Sequence, residues 1–268
     1  RAWMEGFVER RRLITGNLQS DTLSGTYGLT HPVLRVATAR VYAGYSDSHL
    51  TEVEPDPFFP LDVRVTHPYV GTQLIVDTRD DPLRGSHGVF ASADLSGSGP
   101  FVGSDFEYVR LFAQLNTYRP LRLGPLAATW AQSLRVGLAR PFSGQELITP
   151  VRFFAGGEYS VRGYETESLG PTETLGTLTR AVGGEALFVL NEELRVPLPW
   201  DLVGLLFVDV GNVWASPSDF GRDLATALGL GVRADTPVGL LRLDAAFPLD
   251  APPGKPGFKL YLGFGNAF

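Results

Sequence analysis

From Tyr108 onward the chain alternates. Val109, Leu111, Ala113 and Leu115 fall on one side of a two-residue period, and Arg110, Phe112, Gln114 and Asn116 on the other. That is the period of a β-strand with one greasy face, because successive side chains point to opposite sides of a sheet. Trp130, Leu134, Val136 and Leu138 repeat the pattern against Thr129, Ser133, Arg135 and small residues, with 119–125 reading as the turn between. Phe188, Leu190, Leu194 and Val196 then alternate with Val189, Asn191, Glu193 and Arg195, and the strand stops at Pro197, Leu198 and Pro199. Further strands are predicted over 202–214, 224–235, 239–247 and 258–268.

The front of the chain is patterned more loosely. Residues 70–80 and 88–96 predict a hairpin around Asp81, Pro82, Leu83, Arg84 and Gly85, with earlier strands over 33–45 and 2–14. Pro55, Pro57 and Pro60 make 44–68 read as a long loop. The total is eleven strands, whereas an antiparallel wall that closes on itself has an even number. Either strands precede Arg1, or 16–31 hides a twelfth.

One stretch is not a strand: residues 152–171, RFFAGGEYSVRGYETESLGP. Gly156 and Gly157 adjoin, Arg162 sits between Val161 and Gly163, and Gly170 with Pro171 ends the run. Phe153, Phe154, Tyr159, Val161, Tyr164 and Leu169 nevertheless make it too apolar for a solvated loop, so it is expected to fold inward. Inside a barrel the Arg162 guanidinium stays charged and needs carboxylates on the wall.

Composition narrows the class. Among 268 residues there is no cysteine and one methionine, against 31 glycines and a net charge of -6. No run approaches the roughly 18 apolar residues of a membrane helix, which leaves open strands of about 9 to 11. Without cysteine there is neither a disulfide framework nor a thiolate metal site. The acidic balance opposes nucleic acid as a partner. The polar face carries Gly, Ser, Arg and Asp, and the only lysines are Lys255 and Lys259. A solvated sandwich face is rich in Lys and Glu, so the polar face here reads as a lumen. Trp130, Trp200, Trp214, Tyr261 and Phe268 near strand ends read as an interfacial girdle. The chain starts at Arg1 without an initiator methionine or signal peptide, so upstream sequence is expected.

Catalytic chemistry finds little support. His31, His49, His67 and His87 read as turn residues or strand starts, without metal-ligand spacing. Asp77 with Arg79 reads as a lumenal ion pair, and Asp80 with Asp81 as the start of a turn. A hydrolase built on Asp47 and His49 stands far behind, since no GxSxG, HExxH or phosphate loop appears.

The segments FFAGGEYSVRGYETESLGP, AVGGEALFVLNEELRVPLP, FVDVGNVW, TPVGLLRLDAAFPL and LYLGFGNAF, with VDTRDDPLRGSHG upstream, resemble the barrel of the BamA and TamA group of outer-membrane insertases. The resemblance covers about residues 69–268. It implies an all-β, antiparallel transmembrane β-barrel, of which 1–268 would be the C-terminal portion of sixteen strands. It implies that Val161, Arg162, Gly163 and Tyr164, within an infolded loop at 141–180, enter the lumen, and that Arg162 pairs with Glu193 and Asp209. The strand pattern agrees for Glu193, on the same register as Asn191 and Arg195. It leaves Asp209 open, because both registers of that strand are apolar, and lumenal water is the alternative neighbour. The last strand resembles the family's C-terminal signal, with Tyr261, Gly263, Phe264 and the closing Phe268; Asn266 departs from it. Gly263 and Gly265 weaken that strand and make it a seam.

The function so implied is assembly or translocation of β-barrel clients in the bacterial outer membrane, with no catalytic residues, metal or cofactor. The implied partners are outer-membrane lipids, lipopolysaccharide, unfolded clients, and periplasmic or lipoprotein subunits. Two alternatives stand beside it: an exoprotein transporter of the two-partner-secretion type, and a barrel anchoring a patatin-like enzyme.

Overall fold

The computed structural model describes residues 2–15, 18–52, 62–175, 178–237, 239–250 and 257–268. Its main feature is one antiparallel sheet of twelve strands, with a separate two-stranded hairpin. The sheet is built from β1 (Trp3–Thr15), β2 (Leu18–Leu34), β3 (Ala37–Glu52), β4 (Asp62–Asp77), β5 (Gly88–Ser98), β6 (Tyr108–Leu123) and β7 (Leu126–Pro141). The small hairpin, β8 (Thr172–Leu175) with β9 (Leu178–Ala181), follows. The sheet resumes with β10 (Ala186–Leu198), β11 (Leu202–Trp214), β12 (Ala225–Thr236), β13 (Gly239–Pro248) and β14 (Lys259–Phe264). Every strand pairs with its sequence neighbour except at 142–185, where the chain leaves the wall and β7 pairs directly with β10.

This up-and-down order puts the start of β1 and the end of β14 at one end of the sheet. Short turns gather there, at 35–36 and 124–125 for example. The 142–185 connection emerges at the other end.

The strand missing from the sequence reading is β2, Leu18–Leu34, which supplies a twelfth among the described residues. The predicted strand at 33–45 is corrected: the chain turns at Arg35 and Val36, and the two halves belong to β2 and β3. The predicted loop at 44–68 is also corrected. β3 runs to Glu52 and β4 begins at Asp62, because Tyr45, Ser46, Asp47, Ser48 and His49 are an alternating strand with a polar face. Its three prolines, Pro55, Pro57 and Pro60, lie outside the described residues. The 119–125 turn contracts to Gly124 and Pro125, as β6 continues to Leu123. His31, His49 and His67 stand within strands rather than loops.

Side chains of the infolded segment cover part of the inner face. Leu147, Val151, Phe153, Ala155 and Val161 from the 142–185 segment form a buried cluster with Tyr108, Ala139, Val189 and Val213 of the wall. Gly137 leaves the space that the Phe153 ring takes, since a Cβ there would stand 2.5 Å from Phe153 Cε1. Burying apolar side chains against apolar wall positions is what draws so glycine-rich a segment inward.

Candidate functional site

Val161 is fully buried at the tip of the infolded segment, and the next residue is Arg162, whose side chain is 0% exposed. Gly163 follows at φ +94, a conformation costly for any residue with a Cβ. A Cβ there would also press within 3.1 Å of Pro248. The glycine therefore lets the backbone reverse against the wall immediately after delivering the arginine.

The guanidinium meets three carboxylates. Nε and Nη2 of Arg162 donate to the two oxygens of Asp209 at 2.7 and 2.9 Å, a bidentate grip, and the Arg162 backbone N–H adds a third bond to Asp209 at 3.0 Å. Nη1 donates to Glu193 Oε1 at 2.9 Å and to Asp244 Oδ2 at 3.2 Å. The plane lies over the Phe207 ring, 3.5 Å from its centroid. Planar fork geometry and weak hydration suit arginine to such a buried, stacked, bidentate site.

Register explains the convergence. Asn191 and Asp209 are direct partners across β10 and β11, and Asn191 Nδ2 donates to Asp209 Oδ1 at 2.7 Å. Glu193 is opposite Phe207. On β12 and β13, Gly231 is opposite Asp244 and Arg233 opposite Arg242. Arg195 donates to Glu193 at 2.8 and 2.9 Å, Arg233 pairs with Asp244, and Arg242 reaches back to Glu158 of the loop at 2.8 Å. Four guanidinium groups (Arg162, Arg195, Arg233, Arg242) thus alternate with four carboxylates (Glu158, Glu193, Asp209, Asp244). Charge balance and hydrogen bonding together are what make such burial tolerable.

The expected partners Glu193 and Asp209 are both brought to Arg162. Sequence reasoning missed Asp244, although it stands two residues from Arg242 and so on the same face of β13. It also gave no reason for the apolar inner register around Asp209: Leu205 and Phe207 pack there with Ala246 and Tyr261, under the guanidinium.

The terminal strand is tied to the same loop. Tyr261 Oη accepts from the Gly163 N–H at 2.9 Å and donates to the Tyr164 carbonyl at 3.2 Å. Tyr164 Oη donates to the Thr226 carbonyl at 3.1 Å, and Lys259 pairs with Glu165. Tyr261 is therefore an inner-face residue, and its place in an interfacial girdle is withdrawn; Trp214 is likewise buried, its indole N–H on the Arg222 carbonyl. Gly263 lies opposite Arg242, and Phe264 points outward, exposed. Phe268 is corrected as a strand residue. The chain leaves the wall after Phe264, with Gly265 at φ +82, and the Phe268 ring comes to rest 5.4 Å from the Arg195 guanidinium. Asn266, the residue that departs from the family signal, donates to the Leu83 carbonyl at 2.6 Å.

Asp77 and Arg79 pair at 2.8 Å, and Asp80 and Asp81 accept backbone N–H groups of the 78–87 turn. His49 faces Asp62 rather than Asp47, which pairs with Arg64. Among the described residues no group of three or more His, Asp or Glu is placed to hold a metal ion.

The fold is similar to that of BamA from Haemophilus ducreyi lacking POTRA domains 1-3, with a TM-score of 0.81 at 18% identity over 97% of this chain and 57% of that one. It is also similar to CdiB from Acinetobacter baumannii, with a TM-score of 0.62 at 19% identity over 91% of this chain and 42% of that one. In sequence, 183 residues are 27% identical to the outer membrane protein assembly factor BamA of Nitratidesulfovibrio vulgaris, 67% of this chain and 22% of that protein. A stretch of 104 residues is 36% identical to the chloroplastic outer envelope protein 80 of Arabidopsis thaliana, 35% of this chain and 13% of that protein. The chain thus spans about a fifth of the length of the BamA relative. The Omp85 superfamily domain matches residues 15–268, and the chain belongs to that superfamily.

Proposed function

We propose that the chain is the C-terminal part of a sixteen-stranded barrel in the bacterial outer membrane, and that it inserts β-barrel clients by templating their strands on the edge of β14. The observation that carries this reading is the edge itself. β14 is six residues long and pairs with β13 over six rows, while β6 and β7 pair over sixteen. Its outward side chains, Leu260, Leu262 and Phe264, are more than 60% exposed. An edge strand presents unpaired N–H and C=O groups, and in hydrocarbon each costs several kcal/mol. An incoming strand that satisfies them is inserted by that pairing, without a chemical step or a nucleotide. The arginine cluster holds the loop, and the loop holds β14 through Tyr261.

The fold shared with CdiB supports a second reading, transport of an exoprotein through the lumen. The loop packed against the inner face opposes it.

The test is a cysteine scan of β14 in the full-length protein. Disulfides from positions 260 and 262 to a client strand arrested during assembly, shifting by two residues in register, are the expected result. Client folding into vesicles at the same rate with and without the protein, and no β14 cross-links, would refute the reading. Release of a secreted substrate with β14 uncross-linked would favour the transporter.

A further inference from the structure

The inner side of β1 to β6 keeps a space that its own side chains do not fill. A cavity of about 410 Å³ lies between that wall and Pro150 and Val151 of the infolded segment. Small-molecule sites occupy roughly 300–1,000 Å³. Two tyrosines that could fill the cavity are laid sideways. Tyr42 of β3 and Tyr69 of β4 stand opposite Gly71 and Gly44. A Cβ at Gly71 would overlap the tip of the Tyr42 ring, and one at Gly44 the tip of the Tyr69 ring. Each ring thus crosses the neighbouring strand along the wall, and the two glycines keep the cavity open.

The polar groups around this cavity are held in place but not satisfied. Tyr42 Oη donates to both oxygens of Asp94, at 3.0 and 2.8 Å, which fixes the carboxylate and leaves about two of its lone-pair sites free. Arg110 Nε donates to the Val151 carbonyl at 3.2 Å, and the guanidinium carbon lies 4.4 Å from the Phe153 ring centroid. Among the described residues neither Nη of Arg110 has a hydrogen bond or an ion pair. His67 lines the same cavity and is 3% exposed, yet its Nδ1 has no hydrogen-bond partner among them either. A buried donor or acceptor left unmade costs about 1–3 kcal/mol, so the cavity favours a polar occupant.

Arg110 only donates, Glu9 and Asp94 only accept, and Ser24, Ser46 and Ser96 do both. An inorganic anion leaves the carboxylates unanswered, and an ammonium leaves the guanidinium so. Hydroxyl groups answer both. Beside them His67 stands 5.7 Å from Tyr69 and 6.0 Å from Tyr108 between ring centroids, and these rings offer apolar surface to C–H groups. Among the described residues lining the cavity there is no leucine, isoleucine or phenylalanine, so an acyl chain has nothing to pack on. We infer that the cavity binds a neutral disaccharide. Its hydroxyls bridge Arg110 to Asp94 and reach His67, and one C–H face of a sugar ring packs on the tyrosines. The site shares no residue with the Arg162 cluster or β14, so it stands or falls independently of client insertion.

The experiment is calorimetric titration of the full-length protein in lauryldimethylamine oxide, a detergent without a sugar headgroup. The probes are maltose, lactose and N,N′-diacetylchitobiose, with inorganic phosphate and spermine as charged controls. The expected result is binding of at least one disaccharide with a Kd below about 1 mM, and of neither control. Arg110→Gln and Asp94→Asn should each raise that Kd about tenfold, the loss of one hydrogen bond to a charged group. Ser24→Phe, which fills the cavity from β2 and leaves Arg110 and Asp94 in place, should abolish binding. Saturation transfer in NMR should run from aromatic protein protons to the ring C–H protons of the sugar. Failure of all three disaccharides to bind would overturn the assignment and leave a water-filled space. Tighter binding of phosphate or spermine, or a Kd unchanged in all three variants, would overturn it as well.

Discussion

At the scale of single residues, the weight of the site rests on Arg162. Four of its five guanidinium N–H bonds are directed at carboxylates, and its plane is stacked on Phe207. Lysine keeps the charge but loses the fork and the stacking. Alanine leaves Asp209, Glu193 and Asp244 buried around a missing cation, which for a buried pair costs about 3–5 kcal/mol. The expectation is therefore graded. In thermal unfolding of the reconstituted protein, Arg162→Ala should be destabilised by about that amount, and Arg162→Lys by an intermediate one. Equal melting of all three proteins would remove Arg162 from its structural role. The arginine is legible in the sequence, because a guanidinium in an apolar, glycine-rich segment demands partners; Glu193 follows from the resemblance and its own register, and Asp209 from the resemblance alone, since both registers of its strand are apolar. Asp244 follows from neither. Its selection depends on how β11, β12 and β13 are registered, with Gly231 opposite Asp244 leaving it room, and no local pattern encodes that.

At the scale of elements, β14 depends on a loop more than 90 residues earlier in the chain. Tyr261 joins the two by two hydrogen bonds, each with one partner on the 142–185 segment. Tyr261→Phe keeps the ring against Leu205, Phe207 and Ala246 and deletes only the hydroxyl. A net contribution of about 1 kcal/mol per hydrogen bond, about 2 kcal/mol for the two, predicts that the β13 and β14 amides open roughly thirtyfold more often. Hydrogen exchange should show faster exchange confined to 239–264, with β6 and β7 unchanged. Uniform exchange in both proteins would mean that the loop does not hold the strand. The strands most easily read are those with several alternating outward apolar residues, such as Val109, Leu111, Ala113 and Leu115 of β6. Errors gathered where the inner face is polar along its whole length: Ser46, Ser48 and His67 are buried inner-face residues of β3 and β4, and from sequence they resemble loop. The tail could not be read either, since Phe258 to Phe264 and Ala267 to Phe268 look like one apolar run until Gly265 breaks it.

At the scale of the whole molecule, two contacts draw distant parts of the sheet together at the end that holds the termini. Arg84, in the turn between β4 and β5, pairs with Asp235 near the end of β12 at 2.8 Å. In the same turn the Leu83 carbonyl receives Asn266 of the tail. The turn thus spans from one half of the sheet to the other. Asp80 stiffens it: the Ser86 hydroxyl, then backbone N–H groups of His87, Ser86 and Asp81, hold its carboxyl well below the usual range. Both Arg84 and Asp235 are partly exposed, so their pair is worth about 0–1 kcal/mol, enough to shift a local opening up to about fivefold but not to unfold the sheet. Arg84→Asp alone, or Asp235→Arg alone, should therefore raise the labelling rate of a cysteine placed at position 268 by up to about fivefold. The double exchange restores the opposite charges and should return the rate toward the starting value. High salt should narrow the difference between single and double variants, since exposed pairs are screened. If both single variants label at the original rate, the pair between Arg84 and Asp235 does not help to hold the turn against the tail.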